Sequence, residues 1–547
     1  MINETNYENN PLTKEQETQV DALFAEYDNK DTPGCAVGVI NDGEFIYKKS
    51  FGMANLDYDI PITADSKFEL GSTSKQFTAA CIALLQLDGK LNIDDEVRKY
   101  IPELPDYGKI IKISHLIHHT SGIRDFYNLL WFSFQPWEDY FTKTECLKLV
   151  CRQKELDFIP GDKYSYSNSG YFLLAEIINR VNGKSIREYA DEMIFKPLKM
   201  NDTYFGDHSS EIVKKRVTSY GIQNKTHTAY FSNSVVLGPS GVLSTVNDML
   251  KWDRNFYNPV VGGQQMLDLM RTKGVLNNGE TIPYAFGLIH NSYKGFNNTD
   301  HAGGILGFRC QLTCFQEQKI SVIFLANRVD CNPNYLPNII ANTFLPETKE
   351  TITEKTPKVV EEYTPVKLSD SELDKFCDFY WCEEEKINRK IIIKDNCLYY
   401  WRADNYLSKL IPISNNELIM EGSSSDVKLI FEFDNNQKII NFFQNGIFTS
   451  KYISYKPVSY TPEDLAKFCG KYYSYDLDVY YQILLDADKL RLKFRNKNIS
   501  ELPSMMENTF RTTGNGCTFK FSTNDRNEIK GFVLDAEGVK NINFDRC

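Results

Sequence analysis

FELGSTSKQFTAACIALLQLDG, residues 68–89, decides how the chain is read. Phe68-Glu69-Leu70 is a short extended piece, Gly71 a tight spot, and Ser72-Thr73-Ser74-Lys75 the opening of a helix. Phe77, Cys81, Ile82, Leu84 and Leu85, with Ala79, Ala80 and Ala83 among them, give that helix the apolar character of a buried one. Gly89 supplies its C-terminal cap. Ser72 therefore stands in the first turn, where backbone N–H groups lack intrahelical partners and the dipole presents its positive end. Lys75, three residues on, shares its helix face. A serine hydroxyl is a weak nucleophile until a base takes its proton. A lysine amine can be that base once burial lowers its pKa. The same spacing also describes an N-cap serine beside a surface lysine. It recurs at Ser425 and Lys428 in a strand-rich region, so the pair alone does not decide.

The chain around this stretch has 547 residues, 42% hydrophobic and 25% charged, enough for three or four ordinary globular domains. A net charge of −11 argues against nucleic acid or an anionic membrane surface as partner. No apolar run reaches the length of a membrane-spanning helix, and the polar start MINETNYENNPLTKEQ lacks the apolar core of a signal peptide. Thirteen cysteines, without Cys-x-x-Cys pairs, read as free thiols in a reducing compartment, which makes the cytoplasm the expected location.

In chain order, residues 12–29 have the periodicity of an amphipathic helix. Cys35 to Ile40 and Glu44 to Lys48 are strands joined by the hairpin turn Asn41-Asp42-Gly43. Ser114 is expected to cap a helix ending at Gly122. His115, His118 and His119 lie within it, without the acidic or cysteine ligand that a metal site at this spacing needs, so they are read as core or supporting histidines and no metal is assigned. The aromatic-rich span 126–160 fits a helical core or the lining of a cleft. Helices are expected over Tyr171–Arg180 and from Ser185 to about Phe195. Strands are expected over Ala285–His290, Phe308–Phe315 and Lys319–Ala326, with a last helix at about Tyr335–Leu345. The fold class is α+β, an antiparallel sheet with flanking helices. Residues 346–366 are charged, Thr-rich and bounded by prolines, a linker. Beyond it Leu373, Phe376, Cys377 and Tyr380 recur 92 residues later as Leu465, Phe468, Cys469 and Tyr472. This indicates two small all-β antiparallel barrels of lipocalin-like size, 367–457 and 458–547.

Two further motifs stand beside Ser72 and Lys75. Tyr166-Ser167-Asn168 offers a hydroxyl to pass protons and an amide to position substrate or Lys75. His301-Ala302-Gly303-Gly304 offers an imidazole for the polar end of a substrate and glycines that let a backbone approach closely. Each is weak alone: the first also reads as a strand-end aromatic in a turn, the second as a glycine-rich hairpin.

Taken together with HHTSGIRDF (118–126), PGDKYSYSNSGYFLLAEII (160–178), IFKPLKMNDT (194–203) and GPSGVLSTVNDMLKW (238–252), these motifs resemble the serine β-lactamase and penicillin-binding protein superfamily. The likeness is to its class C-like branch and covers residues 30–345, within a hydrolase domain expected over residues 1–345. The whole architecture resembles the three-domain D-aminopeptidases. The resemblance implies catalytic roles for Ser72 as acyl-forming nucleophile, Lys75 as base and Tyr166 as second proton carrier. It places Asn168, His301, Gly303 and Gly304 at the substrate, and puts the oxyanion at the backbone N–H groups of Ser72 and about Leu306. No metal or cofactor is implied. His301 stands where many relatives carry the lysine of Lys-Thr-Gly, and a mostly neutral histidine suits a substrate carboxylate poorly. That favours an aminopeptidase acting on short D-residue peptides or amides. A carboxylesterase, a DD-carboxypeptidase or weak β-lactamase, and a non-catalytic penicillin-binding sensor or scaffold are the alternatives. The barrels carry no nucleophile context. They are read as restricting the mouth of the active site, for instance through Thr513-Gly514-Asn515-Gly516, or as faces for homo-oligomerisation.

Overall fold

The computed structural model describes residues 12–134, 141–231, 233, 236–346, 365–403, 406–421, 427–434, 437–444, 447–494, 497–512, 516–536 and 538–547. Ser425, Thr513, Gly514, Asn515 and nearly all of the linker lie outside them. The described residues up to Tyr127 and from 141 to 346 form one compact unit, and Asn128–Phe134 with the residues from 365 onward form another.

The first unit is built on a six-stranded antiparallel sheet. Its strands are β1 (Cys35–Asn41), β2 (Glu44–Phe51), β3 (Ile289–Tyr293), β4 (Phe296–Ile305), β5 (Phe308–Phe315) and β6 (Ile320–Ala326), in the order β3-β4-β5-β6-β1-β2. The β1–β2 turn is Asp42-Gly43, with φ of 48° and 78°, as a two-residue hairpin of this hand requires. Cys35 pairs with Ala326 and Asn41 with Ile320, so the two chain-distant halves of the unit are joined in mid-sheet. Val37 and Val39 point to one face and pack with Val20 of α1 (Lys14–Ala22), Phe24, Phe324 and Ile340. Gly38 points to the other face, where a Cβ would lie 2.9 Å from Val246. That face receives the helical region, at whose centre α2 (Lys75–Leu87) is buried from Lys75 to Leu85. It packs beside α3 (Asn168–Asn182), and Trp252 of α4 (Val246–Asn255) donates from its indole to Gln76 at 2.9 Å.

Several boundaries differ from the sequence reading. The first helix stops at Ala22, because Leu23, Phe24 and Tyr27 each donate to a carbonyl three residues back and tighten the chain into turns. Thr13 rather than an apolar residue sets its start, through a capping box with Gln16. Ser114 is not a cap; it lies inside the short helix Ile113–Ile117. The largest difference is β4. Asn297, Asn298, Asp300, Gly303 and Gly304 argue against a strand, yet Phe296–Ile305 runs between β3 and β5. Its place in mid-sheet overrides its weak intrinsic preference. In the aromatic span, Phe126, Phe132 and Phe141 are buried core, whereas Trp131 is exposed.

In the second unit, eight strands from Asp378–Cys382 to Ile447–Tyr455 close into a barrel, the first pairing the last at Tyr380 and Ser454. Tyr380, Tyr400, Leu418, Leu429, Phe431 and Ile440 fill it. The second repeat keeps local details: the Tyr380 hydroxyl donates to Phe376 O at 2.6 Å, and the Tyr472 hydroxyl to Phe468 O at 2.8 Å. It differs in closure. Nine strands form an open order whose edges, Lys497–Glu501 and Ser504–Met506, are consecutive in the chain. Ninety-two residues after Ile411, the last residue but one of the barrel strand Tyr406–Pro412, stands Pro503. Proline cannot donate to a ladder, so the strand splits there. Leu502 donates to Leu490 on one side, and Pro503 O accepts from Arg511 on the other.

Candidate active site

The strand Phe68–Glu69 pairs with Val242–Ser244, and the chain then turns through the 3₁₀ segment Gly71–Ser74 into α2. Gly71 has φ 51°, and a Cβ there would come within 2.8 Å of Gly304 N. Gly303 is as constrained, since its Cβ would lie 1.9 Å from Leu70 O. The two glycine positions are what allow β4 to lie against the turn that carries Ser72. Thr73 fastens the contact by donating to His301 O at 2.9 Å.

Lys75 is wholly buried. Its Nζ lies 3.0 Å from Ser72 Oγ, 2.9 Å from Asn168 Oδ1 and 2.8 Å from Pro239 O. Burial holds its pKa well below the usual lysine range, with Asp125 pulling partly the other way. The loop bearing Pro239 is fixed from both sides. Thr78 donates to Gly238 O at 2.8 Å, and Gly238, at φ 109°, passes so close to Tyr171 O that a Cβ would stand 2.4 Å from it. Tyr166 lies beside Ser72, and its ring is 4.8 Å from Lys75 Nζ and 4.2 Å from the His119 ring. Burial raises the phenol pKa well above its usual value. The same surroundings thus favour the neutral form of both proton carriers.

Asn168 opens α3, and Asp125 fixes its amide. The Asp125 carboxylate accepts from Asn168 N at 2.5 Å, Asn168 Nδ2 at 2.9 Å and Tyr127 N at 2.9 Å. With Nδ2 held there, Oδ1 is the atom turned to Lys75. His119 has φ 57°, and its Nδ1 accepts from Ser167 N at 3.1 Å, so the ring proton is on Nε2. It stacks under Tyr166 and 4.4 Å from Tyr284. His118 bridges Ser114 O and Thr272 O, and His115 accepts from Lys112 N. All three rings are engaged with the backbone.

Two sequence expectations need correction. In this structure both imidazole nitrogens of His301 are engaged within the protein. The residue is buried, Nδ1 donates to Ala302 O at 2.8 Å, and Nε2 accepts from the Tyr284 hydroxyl at 2.9 Å. Burial and the nearby Lys75 push its pKa down to about 3. Leu306 lies beyond the strand, in the two-residue β4–β5 turn with φ 49°, and its carbonyl accepts from Arg309. The strand amide that reaches the nucleophile turn is that of Gly304. Ile305 and Phe308 close the turn, so ladder alternation directs the Gly304 N–H away from β5. Asp125 and Tyr284 were missed as members of the site, and His119 was read only as a core or supporting histidine. His119 and Asp125 lie in HHTSGIRDF, where nothing local distinguishes a functional polar residue from a core one.

Comparison with known proteins agrees with this geometry. Residues 20–341 match the family described as Beta-lactamase. Over 316 residues the chain is 28% identical to a D-aminopeptidase from Gluconobacter oxydans, covering 57% of this chain and 58% of that one. Over 312 residues it is 30% identical to penicillin-binding protein 4* of Bacillus subtilis, covering 52% and 66%. The chain thus spans less than two thirds of the length of either. In fold it is similar to the octameric penicillin-binding protein homologue from Pyrococcus abyssi, with a TM-score of 0.55, 23% identity, and coverage of 80% of this chain and 99% of that one. With the family match extending over residues 20–341, more than half of the 547, the chain belongs to the beta-lactamase family of serine hydrolases and penicillin-binding proteins.

Proposed function

We propose that this protein hydrolyses amides of D-amino acids or the N-terminal bond of short D-residue peptides through an acyl-enzyme on Ser72. The observation that carries the reading is the buried amine of Lys75, 3.0 Å from Ser72 Oγ and held by two further acceptors. A neutral amine has two N–H donors and one lone pair. Asn168 Oδ1 and Pro239 O take the donors, which leaves the lone pair for the Ser72 proton. As Ser72 Oγ bonds to the substrate carbonyl carbon, the developing oxyanion meets the N–H groups of Ser72 and Gly304. Tyr166, neutral and beside Ser72, carries a proton to the leaving nitrogen, whose bond to the acyl carbon then breaks. Water, deprotonated by the same pair, hydrolyses the ester and returns the proton. The D-aminopeptidase relative supports the substrate class. So does His301, which is neutral, buried and unsuited to a substrate carboxylate.

The test is incubation with a fluorophosphonate followed by peptide mass mapping, together with hydrolysis of D- and L-alanyl p-nitroanilide. An adduct on Ser72 and a preference for the D substrate are expected. A protein without a Ser72 adduct, or one that prefers the L substrate, contradicts the reading.

Activity should rise with pH through an apparent pKa below that of free lysine, because only the neutral amine accepts a proton and burial lowers its pKa. The value belongs to the coupled Lys75–Tyr166 system. A chemistry-limited profile flat from roughly pH 6 to 9 would rule out this assignment. Self-association is a second expectation, supported by the octameric structural neighbour. Light scattering of the full chain should give a mass above the 63.1 kDa monomer, and a monomer at all concentrations would refute it. The thirteen free cysteines support a reducing compartment.

A further inference from the structure

A small cavity is lined by Glu69, Tyr127, Arg216, Ser240, Leu243 and Ile305, among others. Most of these residues neighbour one that touches the chemistry. Glu69 lies three residues before Ser72, Ser240 follows Pro239, Ile305 follows Gly304, and Tyr127 is two beyond Asp125. The room inside is about 30 Å³, that of one or two water molecules. This suits a small polar group.

Glu69 is the unusual member. It is 9% exposed and held on a strand paired to Val242–Ser244. Among the described residues its carboxyl makes no hydrogen bond or ion pair; Arg216 acts on it only through space. A buried carboxyl is normally matched by donors, since its desolvation otherwise goes uncompensated. Burial raises its pKa to about 6, so it remains mostly ionised at neutral pH. The cavity therefore presents a carboxylate without a hydrogen-bonding donor among the described residues, with Arg216 also in its lining.

We propose that Glu69 receives the protonated α-amino group of the substrate's acyl residue in this cavity. The proposal rests on the acyl-enzyme reading above and deepens it. At Ser72 the acyl carbon carries three other directions. The oxyanion points to the Ser72 and Gly304 amides, and the leaving nitrogen to Tyr166. The α-carbon is left to face Ser240 and Ile305, with its ammonium one bond further toward Glu69. Selection for a free amine then comes from charge pairing with the Glu69 carboxylate. A penicillin or an N-blocked peptide lacks the cation.

The experiment compares full-length wild type and Glu69→Gln on D-alanyl p-nitroanilide and on propionyl p-nitroanilide, which differ only by the amine. The ratio of their kcat/KM values should fall roughly tenfold or more in the variant, as expected when a buried charge loses its partner. In wild type the same ratio should fall as pH is lowered through about 6, where Glu69 protonates. The wild-type series decides the matter if the variant does not fold. A ratio in the variant within about twofold of wild type, equal losses on both substrates, or a wild-type ratio independent of pH below 7 overturns the proposal. The two readings separate cleanly. A Ser72 adduct with hydrolysis of the propionyl substrate alone rejects the aminopeptidase reading as well. A preference for the alanyl substrate that persists in Glu69→Gln rejects only the role of Glu69.

Discussion

Replacing Ser72 with alanine should remove turnover by about four or more orders of magnitude while the protein stays folded. The size of the loss follows from the way nucleophile and base act as a unit: without Oγ, Lys75 and Tyr166 have no proton to move, and only binding and the oxyanion amides remain. The fold should tolerate the change. Ser72 is only half-buried, and the turn around it is held by other groups, namely Gly71 and Gly303 at close approach and Thr73 on His301 O. One hydroxyl removed there costs about 1 kcal/mol. Lys75 keeps Asn168 Oδ1 and Pro239 O as acceptors. The measurements are kcat/KM on the best substrate of the panel, loss of the fluorophosphonate adduct, and a thermal melt. Activity within about tenfold of wild type, with a normal melt, would mean that another group is the nucleophile.

What the sequence revealed of this site depended on whether a residue's role was local. Ser72, Lys75 and the helix behind them lie within one short stretch whose apolar pattern is unambiguous. Tyr166 and Asn168 come from the neighbourhood of a second helix with a clear start. Asp125, by contrast, acts by accepting from a backbone amide 43 positions away, and His119 by a ring proton balance that only its surroundings define. His301 illustrates the opposite error. As a residue type it suggests an exposed polar contact, and only the placing of Tyr284 beside it shows that both nitrogens are spent. For the fold, hairpin turns and buried strands such as Cys35–Asn41 were evident from composition. Strand Phe296–Ile305 was not, because a strand in mid-sheet that must pass a catalytic turn needs glycines, and glycines argue locally for a loop. The proline that splits one strand of the last repeat was visible in the sequence. Its effect depends on the 92-residue register with the first repeat, which turns a single residue into a difference of closure.

Lys75→Met and Lys75→Arg together test the base. Arginine retains the cation but cannot give up its proton in the working range, and methionine retains the length without a basic nitrogen. If Lys75 is the base, both variants should lose about three orders of magnitude or more in kcat, the upper part of the range for a positioned general base. Their residual activity should lack the rise with pH seen in wild type. A Lys75→Arg protein within about tenfold of wild type would show that charge at this position, not proton acceptance, is what matters. Stability gives an independent reading, and its sign follows from the depressed pKa. The unfolded chain binds the lysine proton more readily than the folded one, so this group makes wild-type stability increase with pH below the ordinary lysine value of 10.5. At low pH the folded protein carries the full penalty of a buried ammonium; as pH rises through the depressed pKa toward 10.5, the penalty is relieved. Lys75→Met lacks that penalty but leaves Pro239 O and Asn168 Oδ1 without a donor, a cost of about 1–3 kcal/mol for each group. The melting temperature of Lys75→Met relative to wild type should therefore be highest in acid and fall as pH increases. A difference that is constant across the range, or that grows with pH, would mean that Lys75 is charged in the folded protein and cannot be the group that takes the proton from Ser72.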